Sequence, residues 1–410
     1  MDCKKCYEVG TAILVKERQR STEQRPEYEI IPESVKKNSS AITAELKSSI
    51  NTLRLIIVSL ADSTIRVVID EAEGSLRPRY QPLDVLQNGT NLKTEDFKYF
   101  KKEASMVTFV LENGAQVMVA FKPFQILVYI NGEVVVGLNS HHLLKFEHYR
   151  KKVPGKEKDD GEGFWEETFK THTDSKPHGS SSVGMDISFV GFKYVYGLPE
   201  HGDSFVLRST SAMDPYRLFN LDVFEYELNS QMSLYGAVPF IMAHSKDRSV
   251  AALWLNAAET WVDINSPLDS KGIFGSLADK LKITSDAPEV STHFISETGL
   301  IDVFIMLGPK PADIFRQNGA LTGFYPLPPL FSLAYHQSRW NYNDQDDVAA
   351  VHANFDKYDI PVDVIWLDIE HTDGKRYFTW DQAKFSTPLE MIDALVTKVN
   401  SFISDSCVFS

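Results

Sequence analysis

The chain has 410 residues, which at ~150 per domain predicts two or three domains, and 43% apolar content supplies a large buried core. Forty-two Lys plus Arg against 56 Asp plus Glu leave a formal charge of −14. That balance excludes nucleic acid as a partner, because phosphate neutralisation needs a basic surface. No run approaches the ~18 uninterrupted apolar residues of a membrane span; even 117–136 is broken by Lys122, Pro123, Asn131 and Glu133. No membrane partner is expected. The three cysteines, Cys3, Cys6 and Cys407, build no disulfide framework, and one Cys-x-x-Cys pair is half a zinc site. A secretory signal needs a basic start and then 7–15 apolar residues, whereas 9–15 contains Gly10 and Thr11 and follows Asp2 and Glu8. No clear signal peptide is read.

Residues 1–44 are polar and charge-mixed, with Pro26 and Pro32 as punctuation, and predict an irregular lead-in. From residue 53 the texture changes to short runs rich in Val, Ile, Phe and Tyr, such as 53–60 and 64–70. These read as strands. Asn113-Gly114 lies between 107–111 and 116–121, and Asn131-Gly132 between 125–130 and 133–136. Asn-Gly tolerates the positive φ of a two-residue hairpin, so both predict antiparallel pairs. The charged stretch 151–163, punctuated by Pro154 and Gly155, buries no apolar area and reads as an insertion. Strand texture resumes at 194–196, 216–228, 232–244, 250–255, 260–264 and 300–307. Residues 45–324 therefore form a large antiparallel β-sandwich, too long for one immunoglobulin-sized unit.

After Tyr325-Pro326-Leu327-Pro328-Pro329 the pattern changes kind. Residues 331–336 read as a buried strand, 344–357 as a helix with Val348, Val351 and Phe355 on one stripe, and 362–368 as a second buried strand. A second helix starts at Thr387, which can cap it, with Pro388 at the first position and Glu390 completing a capping box. Strand, helix, strand, helix is the βα repeat of a parallel sheet or barrel, so 325–410 reads as the start of one. The chain is thus mainly β with two βα units at its end.

In such barrels the working groups lie at the carboxyl ends of strands. That rule directs attention to Tyr335-His336-Gln337-Ser338-Arg339-Trp340 and to Asp368-Ile369-Glu370-His371. Asp368 and Glu370, two apart on an extended segment, share one side. Carboxylates beside an aromatic surface suit a sugar, whose hydroxyls need acceptors and whose ring faces need an apolar platform. Blander readings stand beside this one. Trp340, Trp366 and Trp380 can be core aromatics; Asp368, Glu370 and His371 can pair with Arg339, Lys375 or Arg376, or ligate a metal. A carboxylate ending an apolar strand is costly unless paired or functional, which favours the site.

The segments from Pro328 to Tyr342 (PPLFSLAYHQSRWNY) and from Val364 to Asp381 (VIWLDIEHTDGKRYFTWD) closely resemble glycoside hydrolase family 31. The likeness extends back through Trp165 to His172, Tyr196 to His201, Tyr216 to Phe224 and Trp254 to Trp261, and covers roughly 45–398. It implies a galactose-mutarotase-like β-sandwich followed by the first two βα units of an incomplete (β/α)₈ barrel. It implies retaining hydrolysis of terminal α-linked glucose without a cofactor. Within the family, the branch it most resembles trims N-glycans in the endoplasmic reticulum, acts on glucose-terminated oligosaccharides and is retained there by a β subunit.

Carried over by position, Asp368 is implied to hold the glucose, Trp340 and Ile369 to line its pocket, and Phe224 to stand near the neighbouring subsite, with Asp222 on the same loop. Both catalytic aspartates of the family come from later strands. The nucleophile's Trp-x-Asp-Met-Asn-Glu-Pro motif is not among these residues, nor is the region of the general acid, so the 410 residues are expected to be inactive alone. The alternative is a non-catalytic carbohydrate-binding or partner-binding fragment. From about Asn400 the likeness is read as ending. Asn38-Ser39-Ser40 and Asn88-Gly89-Thr90 are glycosylation acceptors if the chain is lumenal.

Overall fold

The computed structural model describes residues 27–72, 75–155, 163–223, 225–266, 287–397, 401–404 and 407–409. Cys3, Cys6, Phe224 and the centre of the charged insertion lie outside the described residues. The chain divides into two compact units, one to Gly323 and one from Phe324.

The first unit is built on two antiparallel sheets. One runs Glu29–Ile30, Ala41–Lys47, Thr52–Leu60, Thr64–Glu71, Ile301–Met306, Ser249–Trp254, Phe240–His244 and Tyr194–Gly197. The other runs Tyr216–Leu218, Thr260–Asn265, Glu289–Ser296, Val183–Val190, Glu133–Leu138, Gln125–Ile130, Gln116–Ala120, Met106–Val110 and Tyr99–Lys102. Alternation along each strand sends one set of side chains inward. Leu55, Ile57, Val67, Val303 and Ile305 of the first sheet meet Phe109, Val117, Ile126, Ile187, Phe189 and Phe294 of the second in a single buried cluster. The opposite face of the first sheet is also apolar. There Leu253, Phe304 and Met306 lie under a helix, Pro311–Thr322, whose Ile314 and Leu321 cover them.

Asn131 and Gly132 both have positive φ, 53° and 83°, and Ile130 pairs directly with Glu133, as a two-residue hairpin demands. At Asn113-Gly114 the expectation fails in detail. Only Gly114 has positive φ, and the Leu111 amide closes a wider loop onto the Ala115 carbonyl at 2.9 Å. The irregular lead-in is corrected too, since Glu29–Ile30, Lys36–Lys37 and the first part of Ala41–Lys47 are strands. Tyr28, Ile30, Ile42 and Ala44 are buried among polar neighbours that masked the alternation. Of the strand expected at 216–228 only Tyr216–Leu218 forms. Beyond it the backbone follows irregular bonds, Leu221 N–H to the Leu234 carbonyl at 2.8 Å and Tyr235 Oη to the Val223 carbonyl at 2.8 Å.

In the second unit, His336–Gln337, Val364–Leu367 and Ser401–Ser404 pair in parallel, and Cys407–Phe409 adds antiparallel at the edge. The expected strand at 331–336 shrinks to two residues. Its register with Val364 begins at His336, so the preceding residues have no partner strand, and Leu330–Leu333 coils into a 3₁₀ turn with Leu330 and Leu333 exposed. The helix Gln345–Lys357 starts where expected, with the Asp344 carboxylate accepting from the Asp347 amide at 2.8 Å. The helix Pro388–Val396 also forms, but without its capping box: the Thr387 amide donates to Gln345 Oε1 at 3.1 Å. Ser401–Ser404, read as lying past the family likeness, is the third parallel strand.

Candidate functional site

Period-two alternation decides which face of the short parallel sheet carries Asp368. Ile365 and Leu367 are buried with Val348, Met391, Ile392 and Leu395 of the two helices. Val364, Trp366 and Asp368 therefore belong to the other face, and His336, in register with Val364, belongs with them. A direct bond joins that face: the Trp366 indole donates to His336 Nδ1 at 2.9 Å. An indole N–H is a donor only, so His336 Nδ1 must accept and the proton of the neutral ring sits on Nε2. That Nε2 is buried without a partner among the described residues.

Asp368 ends the strand and begins a turn. Its Oδ1 accepts from the Ile369 amide at 2.8 Å, and its carbonyl accepts from the His371 amide at 3.3 Å and lies 2.8 Å from His371 Nδ1. The 3₁₀ turn Ile369–His371 follows. Asp368 and Glu370 thus do not share one side of an extended segment, as their spacing suggested; the carboxylate that caps the turn curls the chain between them. No ion pair involving Asp368 forms among the described residues, and its second oxygen makes no hydrogen bond there. Ile369 is half-buried.

Glu370 takes the cation instead, bonding Lys375. Burial works to raise its pKa, but the bond from Lys375 outweighs it and holds the carboxyl below the usual range. Trp340, on the loop that follows His336–Gln337, is 80% exposed, which a core tryptophan would not be. Arg339 is fully engaged elsewhere. Its Nη2 reaches both Asp347 oxygens at 2.7 Å, and its guanidinium lies 4.5 Å from the centre of the Tyr342 ring. The Arg339 bond holds the Asp347 carboxyl below its ordinary value. This clamp fixes the loop that presents Trp340 onto the helix Gln345–Lys357. Trp380 is a packing residue, 5.1 Å from His371 and 5.7 Å from Phe385 between ring centres.

Asp222 is exposed on the loop after Tyr216–Leu218, in the first unit, while Phe224 lies outside the described residues. Among the described residues no three His, Cys, Asp or Glu side chains converge as metal ligands, and no helix is long and apolar enough to cross a membrane. The signal that sequence reasoning underused was His336, whose pairing with Trp366 depends on strand register.

Residues 54–263 match the glycosyl hydrolase 31 N-terminal galactose mutarotase-like domain, and 325–408 match the glycosyl hydrolases family 31 TIM-barrel domain. The chain belongs to glycoside hydrolase family 31. The barrel match runs through Ser401–Ser404, so the family likeness does not end near Asn400. This family 31 chain is 41% identical over 409 residues to neutral alpha-glucosidase AB of Mus musculus, covering 92% of itself and 43% of that protein. Against neutral alpha-glucosidase C of Homo sapiens the figures are 37% over 399 residues, 92% and 43%. The family 31 chain thus spans less than half the length of these relatives. A crystal structure of the glucosidase II alpha subunit bound to DNJ superposes with a TM-score of 0.83 at 38% identity, over 96% of this chain and 44% of that one. A heterodimeric complex of an endoplasmic-reticulum glucosidase II catalytic subunit with the binding domain of its regulatory subunit superposes with a TM-score of 0.82 at 37% identity, over 96% and 45%.

Proposed function

We propose that these residues form the mutarotase-like sandwich and the opening strands of the barrel of a retaining α-glucosidase that removes terminal α-linked glucose from N-glycans. One observation carries the reading: Asp368 stands at the carboxyl end of a parallel strand, on the face away from the helices, with one carboxylate oxygen uncommitted among the described residues, and the loop after the neighbouring strand exposes Trp340. In this role Asp368 accepts from glucose hydroxyls, Trp340 offers a flat apolar surface to the ring, and Ile369 walls the pocket. The sandwich domain in this reading extends from the Glu29 strand to Gly323.

Bond cleavage with retention needs a nucleophile and an acid/base about 5–5.5 Å apart. The resemblance assigns both to later strands, so the 410 residues bind without cleaving. The compartment is the lumen of the endoplasmic reticulum and the partner a regulatory β subunit, supported by the likeness to the heterodimeric relative.

Titration calorimetry with deoxynojirimycin on the wild type and on Asp368→Asn tests the site. Heat in the wild type that the variant loses is the expected result. Absence of heat in both removes the binding reading. Separately, the purified chain is expected to release no glucose from a chromogenic α-glucoside; a rate that survives repeated repurification would show that chemistry does not need the later strands.

A further inference from the structure

Two Asn-x-Ser/Thr sequences occur in the chain, and the structure treats them oppositely. Transfer of an oligosaccharide to asparagine requires the carboxamide and the hydroxyl two residues on to be reachable together. At Asn38-Ser39-Ser40 they are withdrawn. Asn38 Oδ1 accepts from the Ser40 amide at 3.0 Å and the Ala41 amide at 2.6 Å, and Ser40 is buried, 7% exposed. This turn joins Lys36–Lys37 to Ala41–Lys47, a local hairpin. Hairpins close within about 1–10 μs, so the acceptor is lost soon after the segment is free to fold.

Asn88-Gly89-Thr90 is different. The segment is a turn in which the Gly89 amide bonds the Leu86 carbonyl at 3.0 Å and the Asn91 amide bonds the Asn88 carbonyl at 2.9 Å. Its root is fixed: Leu86 is buried beneath the helix Pro311–Thr322, and the Gln87 amide donates to the Leu321 carbonyl at 2.8 Å. Its tip is free. Asn88 and Thr90 are both exposed, and neither side chain makes a hydrogen bond among the described residues. Gly89, with φ +53°, has open space around it, so nothing crowds the acceptor.

We infer that Asn88 is an N-glycosylation site and that Asn38 is not. The inference rests on the lumenal compartment proposed above. In the transfer, Asn88 Nδ2 attacks C1 of an oligosaccharide carried on a lipid diphosphate. The new N–C1 bond forms as the C1–O bond to the diphosphate breaks; the lipid diphosphate leaves with the electron pair, and one amide proton is released.

The test expresses the 410-residue chain in eukaryotic cells twice, as it stands and behind a cleavable secretion signal, and reads mobility before and after peptide N-glycosidase. The signal-bearing chain is expected to lose one glycan, with Asn converted to Asp at position 88 in the peptide map. Asn88→Gln should abolish the shift and Asn38→Gln should leave it intact. A signal-bearing chain without any shift, or a shift lost only in Asn38→Gln, overturns the assignment. A glycan found only behind the added signal upholds the site. A chain that carries two glycans, one of them at Asn38, overturns the exclusion of that site.

Discussion

The strand pair that closes the first sheet, Thr64–Glu71 against Ile301–Met306, is pinned by one buried ion pair whose removal is calculable. Arg66 Nε reaches Asp302 Oδ1 at 2.9 Å and Nη2 reaches Oδ2 at 2.7 Å, while Gln81 Nε2 adds a third bond to Oδ2 at 2.9 Å. The Asp302 side chain is 0% exposed and that of Arg66 13%, so water cannot replace a lost partner. Asp302→Asn keeps the shape but removes the charge and turns one acceptor into a donor facing other donors. Breaking one half of such a pair costs about 3–5 kcal/mol, most of it the desolvation of the stranded guanidinium. Replacing both partners together, Arg66→Met with Asp302→Leu, strands no charge, only the half-buried Gln81 carboxamide, and should cost less than the single change. Equilibrium urea unfolding followed by far-ultraviolet circular dichroism measures both. The reasoning fails if Asp302→Asn loses under about 1 kcal/mol or if the double variant is the less stable of the two.

In the second unit, Trp366→Phe deletes the donor to His336 Nδ1 and should destabilise that unit by about 1–3 kcal/mol; ¹⁵N spectra of the wild type should show His336 protonated at Nε2, and a proton on Nδ1 would contradict the bond. Ile365→Ala empties a side chain packed between the sheet and its helices, at a cost of about 2–5 kcal/mol, which should appear in the transition of the second unit and not of the first. His141 and Glu289 meet at 2.9 Å: the hydrogen bond that His141 donates to Glu289 raises the histidine pKa, and although burial pushes Glu289 up, its bond with His141 prevails and lowers it. The histidine contribution is complete below its unfolded value near ~6.5 and fades as pH rises through the raised folded value; the glutamate contribution is complete above ~4.3 and fades as pH falls through the lowered one. Both side chains are about 40% exposed, so the sum stays under ~1 kcal/mol. The stability gap between wild type and His141→Gln should therefore be larger at pH 5.5 than at pH 8, and an equal gap would exclude the pair as its source.

What could be read beforehand depended on how local the cause was. The Asn131-Gly132 hairpin needs only two residues with positive φ and alternating flanks, and the helix at Gln345 needs only Asp344 at its start, so both were legible. The turn at Asp368 was not. Its carboxylate caps the next amide, a choice between extending and curling that identical residue types do not decide. The same holds for 216–228, where apolar residues alternate with polar ones but the partner strand is missing, so the backbone bonds elsewhere. His336 and Trp366 stand 30 residues apart and meet only because parallel pairing starts at His336 and Val364. Pro311–Thr322 carried an overlooked signature, proline at its first turn and Asp313 accepting from the Lys310 amide at 3.0 Å.

That last helix bears on how the polypeptide can be divided for study. A cut made at the final strand, after Met306, looks natural on a diagram yet would leave Leu253, Phe304 and Met306 wet, an oily stripe with no lid. The protein so trimmed would recruit chaperones or precipitate. Scissors placed at Gly323 keep the lid attached.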